Sequence, residues 1–80
     1  MTTISTKRKQ PSLLAVGDAI RTLRKERELT QEGLAAAAGL NLSYLSAVER
    51  ADNNPTLTTL IAISNALGLT LEELSGRAGV

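Results

Sequence analysis

The chain has 80 residues, 42% of them hydrophobic, and a net charge of +1. That is enough for one modest core and too little for two. Cysteine and histidine are absent and Tyr44 is the only aromatic residue, which excludes disulfides, thiol or imidazole catalysis and the usual zinc ligands. The interior must therefore be built from Leu, Ile, Val and Ala, which helices pack well. No apolar run approaches the roughly 18 residues of a membrane span, and the stretch from Lys7 to Val16 lacks the length and cleavage site of a signal peptide. The expectation is an all-α protein that stays in the cytoplasm, with no membrane, metal, cofactor or small-molecule ligand.

Residues 1–12 are polar, carry +3 through Lys7, Arg8 and Lys9, and show no periodicity, so they read as a flexible basic arm. The arm is a candidate for contacts to phosphates or a minor groove, or a solubilising tail. Ser12 is placed to cap a first helix running to about Arg27 or Glu28. Val16, Ala19, Ile20 and Leu23 recur at steps of three and four and form its buried stripe. Gly17 weakens that helix by about 1 kcal/mol relative to alanine, which implies a close neighbour. Arg21, Lys25 and Arg27 read as a solvated basic face.

Thr30 caps a second helix over Gln31–Ala38, and Gly39 stops it, with Leu40 as the usual hydrophobic companion of such a stop. Asn41 caps a third helix in which Leu45 and Val48 face inward. Leu42, Ser43, Ser46, Ala47 and Arg50 are left outside, an unusually uncharged face for a solvated helix. Two helices joined by a short glycine turn form a helix-turn-helix, whose second helix enters the DNA major groove. Ser43 and Ser46 can meet base edges, and Leu42 and Ala47 can meet thymine methyls. Gln31, at a helix start, reads either as an exposed polar residue or as a side chain that grips a phosphate alongside free backbone N–H groups.

Residues 51–55 form a turn. Thr56 caps a fourth helix to about Leu67, with Leu57, Leu60, Ile61, Ser64 and Leu67 as its inner face and Gly68 as its stop. Thr70 to Glu73 is a capping box opening a short fifth helix that buries Leu71 and Leu74. Residues 76–80 are expected to fray. The domain is thus expected over residues 13–75. Outside the arm the body is slightly acidic, which argues against strong non-specific DNA binding.

The segments LTQEGLA, SYLSAVER, NPTLTTL and ALGLTLEEL, in that order, resemble the Cro/CI-type, or XRE, helix-turn-helix family. The resemblance covers roughly Val16 to Leu74. It implies a compact five-helix, λ-repressor-like domain binding double-stranded operator DNA as a two-fold dimer, in a bacterial or phage regulator, with repressor the expected role, associated with the nucleoid. It implies that Gln31 grips a phosphate, that Leu42, Ser43, Ser46 and Ala47 face bases with Tyr44 among the DNA-binding residues, that Arg50 and Asn53 contact the DNA backbone, and that Arg24 pairs with Glu49. Members often carry polar or basic residues where Leu42 and Ala47 stand, and a glycine at Ala51. An interaction module or antitoxin component, using the third-helix face or the C-terminal helices, is the alternative. No enzyme is expected, since Glu72 and Glu73 are adjacent and diverge on a helix.

Overall fold

The computed structural model describes residues 9–80; the arm residues Lys7 and Arg8 lie outside that range. Five helices follow in order: α1 (Pro11–Glu26), α2 (Gln31–Ala38), α3 (Leu42–Glu49), α4 (Leu57–Ala66) and α5 (Leu71–Ala78). Four of the five begin where a short side chain takes an otherwise orphaned amide. The Thr30 Oγ1 accepts from Gly33 N–H at 2.9 Å, Asn41 Oδ1 from Tyr44 at 3.1 Å, Thr56 Oγ1 from Thr59 at 3.0 Å and Thr70 Oγ1 from Glu73 at 3.1 Å. Glu73 returns the bond to the Thr70 amide, completing the capping box.

α1 starts differently from the expectation. It begins at Pro11 after Gln10, with no side-chain cap, and Ser12 lies inside it. Proline at the first helical position needs no N–H partner and brings its φ already set, so no hydroxyl cap is required. Nor does the C-terminus stop at residue 75. α5 runs to Ala78 and closes on Gly79 in the left-handed conformation, helped by an Arg77–Glu26 ion pair at 3.0 Å.

The core is a cluster of Ile20 and Leu23 from α1, Leu34 and Ala35 from α2, Leu45 and Val48 from α3, and Ile63, Leu67 and Leu74 from the C-terminal pair. The inner face of α4 departs from the expected one. Ile63 is fully buried, whereas Leu57 and Ile61 are exposed, 63% and 40% respectively. Arg27 is likewise more than a solvated charge: its Nε donates to the Leu67 carbonyl at 2.5 Å, placing a cation on the negative end of α4.

Gly17 has the close neighbour that its position implied. A Cβ built there would sit 2.7 Å from both the Val48 and Glu49 carbonyl oxygens, so α1 crosses the end of α3 backbone to side. Among the described residues, two that are not glycine hold left-handed φ values, Glu28 at 56° and Ala51 at 63°. Both close helices: Leu29 N–H bonds to Arg24 O, and Asp52 N–H to Ala47 O. Ala51 thus adopts the backbone that glycine supplies in the family pattern, at a steric cost.

Two substitutions are expected to move stability in opposite directions under urea denaturation. Gly17→Ala forces α1 off α3 and should cost about 1–3 kcal/mol. Glu28→Gly relieves a left-handed residue on an exposed site and should gain up to about 1 kcal/mol.

Candidate nucleic-acid interface

The interface is assembled around one buried carboxylate. Glu49, at the end of α3, has a side chain only 2% exposed and lies against Arg24 of α1. Arg24 Nε donates to Oε2 at 2.7 Å and Nη2 to Oε1 at 3.1 Å, a two-point clasp, while Nη1 donates to the Leu29 carbonyl at 2.9 Å. One guanidinium therefore fixes the end of α3 and the loop leading into α2.

Gln31 joins this network. Its Nε2 donates to Glu49 Oε1 at 3.0 Å, and its Oε1 accepts from the Ser46 hydroxyl at 2.9 Å. The first residue of α2 is thus tied both to the buried ion pair and to the middle of α3. Thr30 takes the Gly33 amide, and the amides of Gln31 and Glu32 open the helix without intrahelical partners, a site suited to a phosphate oxygen.

On the outer side of α3, Ser43 is exposed and Leu42 is 40% exposed, whereas Ser46 and Ala47 are half-buried. Tyr44 is half-buried with its ring packed against the core. Arg50 and Asn53 are exposed where α3 gives way to its loop. The structure therefore brings Gln31, Ser46 and Glu49 into direct contact and places Leu42, Ser43 and Arg50 on open surface. Among the described residues no His/Cys/Asp/Glu cluster could hold a metal ion, and no single helix is long and apolar enough to cross a membrane.

One residue the sequence pointed to only as a turn former proves to organise the basic edge. Asp52 accepts from Arg50 Nε at 2.9 Å and pairs with Lys9 at 2.9 Å, while Lys9 Nζ also donates to the Arg50 carbonyl at 2.6 Å. The start of the described chain is thereby fastened beside the end of α3. The Lys9 ammonium, and then the Arg50 guanidinium, hold the Asp52 carboxyl below its ordinary range. A lowered carboxyl keeps its partners as pH falls through the normal carboxylate range and loses them only below it. These groups are exposed and screened, so the cluster directs side chains more than it stabilises the fold. An acidic residue two positions beyond an arginine at a helix end is the only sequence signal for it.

The buried pair yields a test. Arg24→Met should lower unfolding free energy by about 3–5 kcal/mol, because it strands the Glu49 carboxylate; the double change Arg24→Met/Glu49→Leu should recover most of that loss. Urea denaturation of both variants checks it.

Comparisons with known proteins agree with this geometry. A helix-turn-helix family model matches residues 20–74. An immunity repressor protein of Bacillus phage phi105 is 46% identical over 63 residues, covering 79% of this chain and 44% of the repressor, so the chain spans less than half of that relative. Control protein C.SmaI of Serratia marcescens is 37% identical over 65 residues, covering 81% of this chain and 77% of its own. Among solved structures, the restriction-modification controller protein C.AhdI from Aeromonas hydrophila matches with a TM-score of 0.76 and 37% identity, over 78% of this chain and 94% of that one. The cap-glycine-cap turn, the Arg24–Glu49 clasp and these matches together establish that the chain belongs to the Cro/CI-type, or XRE, helix-turn-helix family.

Proposed function

We propose that this chain is a sequence-specific DNA-binding transcriptional regulator, acting inside a bacterial cell as a repressor that occupies its operator with α3 in the major groove. The observation that carries the reading is the placement of Gln31, Ser43 and Arg50. A polar helix start, an exposed hydroxyl and an exposed guanidinium lie along α2, α3 and its loop, while Glu49 locks α3 against α1. Gln31 and Arg50 supply backbone contacts that fix register, with Asn53 beside them. Ser43, Ser46, Leu42 and Ala47 supply base-edge and methyl contacts. Neither Leu42 nor Ala47 offers a bidentate bond, so groove shape carries more of the recognition than in members with glutamine or arginine there.

A two-fold dimer completes this reading. Leu57 and Ile61 lie four residues apart on α4 and leave apolar side chains in water, a short stripe suited to a second copy. Such a dimer would set its two α3 helices about 34 Å apart, one DNA turn. Lys9 is fastened beside Arg50, next to the proposed backbone contacts, and the basic residues Lys7 and Arg8 precede it in the sequence. A second reading is favoured by one observation, the 40% exposure of Leu42: the same face covers a partner protein, as in an antitoxin component. A partner that survives nuclease treatment and is lost in Ala47→Glu would support it.

Electrophoretic mobility shift against genomic fragments at roughly 50 mM salt tests the main proposal. Tight binding to a subset of fragments is expected, abolished by Ser43→Glu; absence of any shift would sink it. Arg50→Gln should weaken all fragments similarly and flatten the salt dependence by about one counterion. Sedimentation should show a dimer that Ile61→Glu converts to monomer without unfolding it.

A further inference from the structure

The hydrogen-bond chain that ends on the outer half of α3 has a fixed direction, and that direction constrains what its last member offers to DNA. Glu49 sits at the root. Clasped by Arg24 through two N–H groups, its carboxylate has no proton to give and can only accept. Gln31 must therefore turn its amide nitrogen toward Glu49, as it does at 3.0 Å. The reverse orientation would set two oxygens against each other beside a nearly fully buried charge.

With its nitrogen so committed, Gln31 presents its carbonyl oxygen to Ser46, 2.9 Å away. Two oxygens at that distance need a proton between them, and an amide oxygen carries none. The proton is that of Ser46. A serine hydroxyl has one proton and two lone pairs, so once the proton is given to Gln31 the half-buried hydroxyl can only accept from any further partner. Ser43, exposed and with a hydroxyl that turns to suit its partner, carries no such constraint.

We infer that Ser46 is a specificity-determining residue that accepts a hydrogen bond from an amino-bearing base, adenine or cytosine, and disfavours guanine or thymine at the same place. In the major groove the N6 amino group of adenine and the N4 amino group of cytosine donate, whereas guanine O6 and N7 and thymine O4 accept. An acceptor-only hydroxyl set against a keto oxygen leaves two acceptors facing each other with their water removed. The inference rests on the proposed operator binding and names the base class that one residue of that interface takes. Gln31 acts here through Ser46, as a positioning residue, beside any phosphate contact of its own.

Selection of bound sequences from a random DNA pool, run in parallel with the intact protein, Ser46→Ala and Gln31→Ala, reads this directly, with circular dichroism confirming that each variant is folded. The intact protein should enrich adenine or cytosine at one position of each half-site. Ser46→Ala should lose the preference at that position alone. Gln31→Ala should bind more weakly overall yet admit guanine or thymine there, because the freed hydroxyl can again donate. Removing the amino group from the selected base, with purine in place of adenine or pyrimidin-2-one in place of cytosine, should weaken the intact protein about tenfold and Ser46→Ala far less. A keto base at the Ser46-dependent position would overturn the inference. So would a base profile identical between the intact protein and Ser46→Ala, the result expected of a purely structural serine. Failure of the intact protein to enrich any sequence would instead overturn the operator-binding proposal itself.

Discussion

Everything at the interface depends on the burial of one ion pair. Arg24 of α1 and Glu49 of α3 lie 25 residues apart in the sequence, and the Glu49 side chain is almost sealed from water. Such a pair is a poor source of stability, since desolvation cancels most of its attraction. Its use is geometric. A buried charge tolerates only arrangements in which its partners are in place, so α3 is held in one rotation about its axis, Gln31 in one amide orientation, and the Leu29 carbonyl at one distance from α1. Apolar packing of Leu45 and Val48 alone would allow α3 to roll by a fraction of a turn at little cost. The ion pair removes that freedom.

Gly17 is what lets the pair form. The end of α3 lies directly on α1, with no room for a methyl between the Val48 and Glu49 carbonyls and the α1 backbone. A side chain there would lift the end of α3 away and pull Glu49 from Arg24. The cost of glycine in mid-helix is therefore the cost of the approach that brings the carboxylate within 2.7 Å of its guanidinium. The left-handed Ala51 follows from the same demand, because α3 must end sharply for Asp52 to gather Arg50 and Lys9 at its side.

What the sequence made readable is the chemistry that acts over three or four residues. Thr30, Asn41, Thr56 and Thr70 cap their helices because a short polar side chain reaches the amide three residues on wherever the chain goes. Gly39 and Gly68 end theirs because few other residues hold a left-handed φ without strain. Contacts between distant segments were less accessible. The α4 sequence LTTLIAISNA is so uniformly apolar or small that periodicity cannot choose between a stripe through Leu57 and Ile61 and one through Ile63. Arg27 is one of several basic residues on α1, and its bond to the Leu67 carbonyl spans 40 positions. The family resemblance implied the pairing of Arg24 with Glu49, but the tie from Glu49 through Gln31 to Ser46 needs three helices in place before it exists. The chain's departures from the family pattern at Leu42 and Ala47 are visible in the sequence, since neither side chain can form a bidentate hydrogen bond.

The buried pair serves orientation and not stability, and one variant separates the two. Arg24→Met/Glu49→Leu replaces the charges with apolar side chains of similar size, so the core stays filled while Gln31 loses its anchor. The direct measurement is the operator affinity and base preference of this double variant, determined under conditions where it is folded. The expected result is a folded protein with weakened operator binding and a blurred base preference, its non-specific affinity little changed. Unaltered operator affinity and base preference in that variant would contradict it.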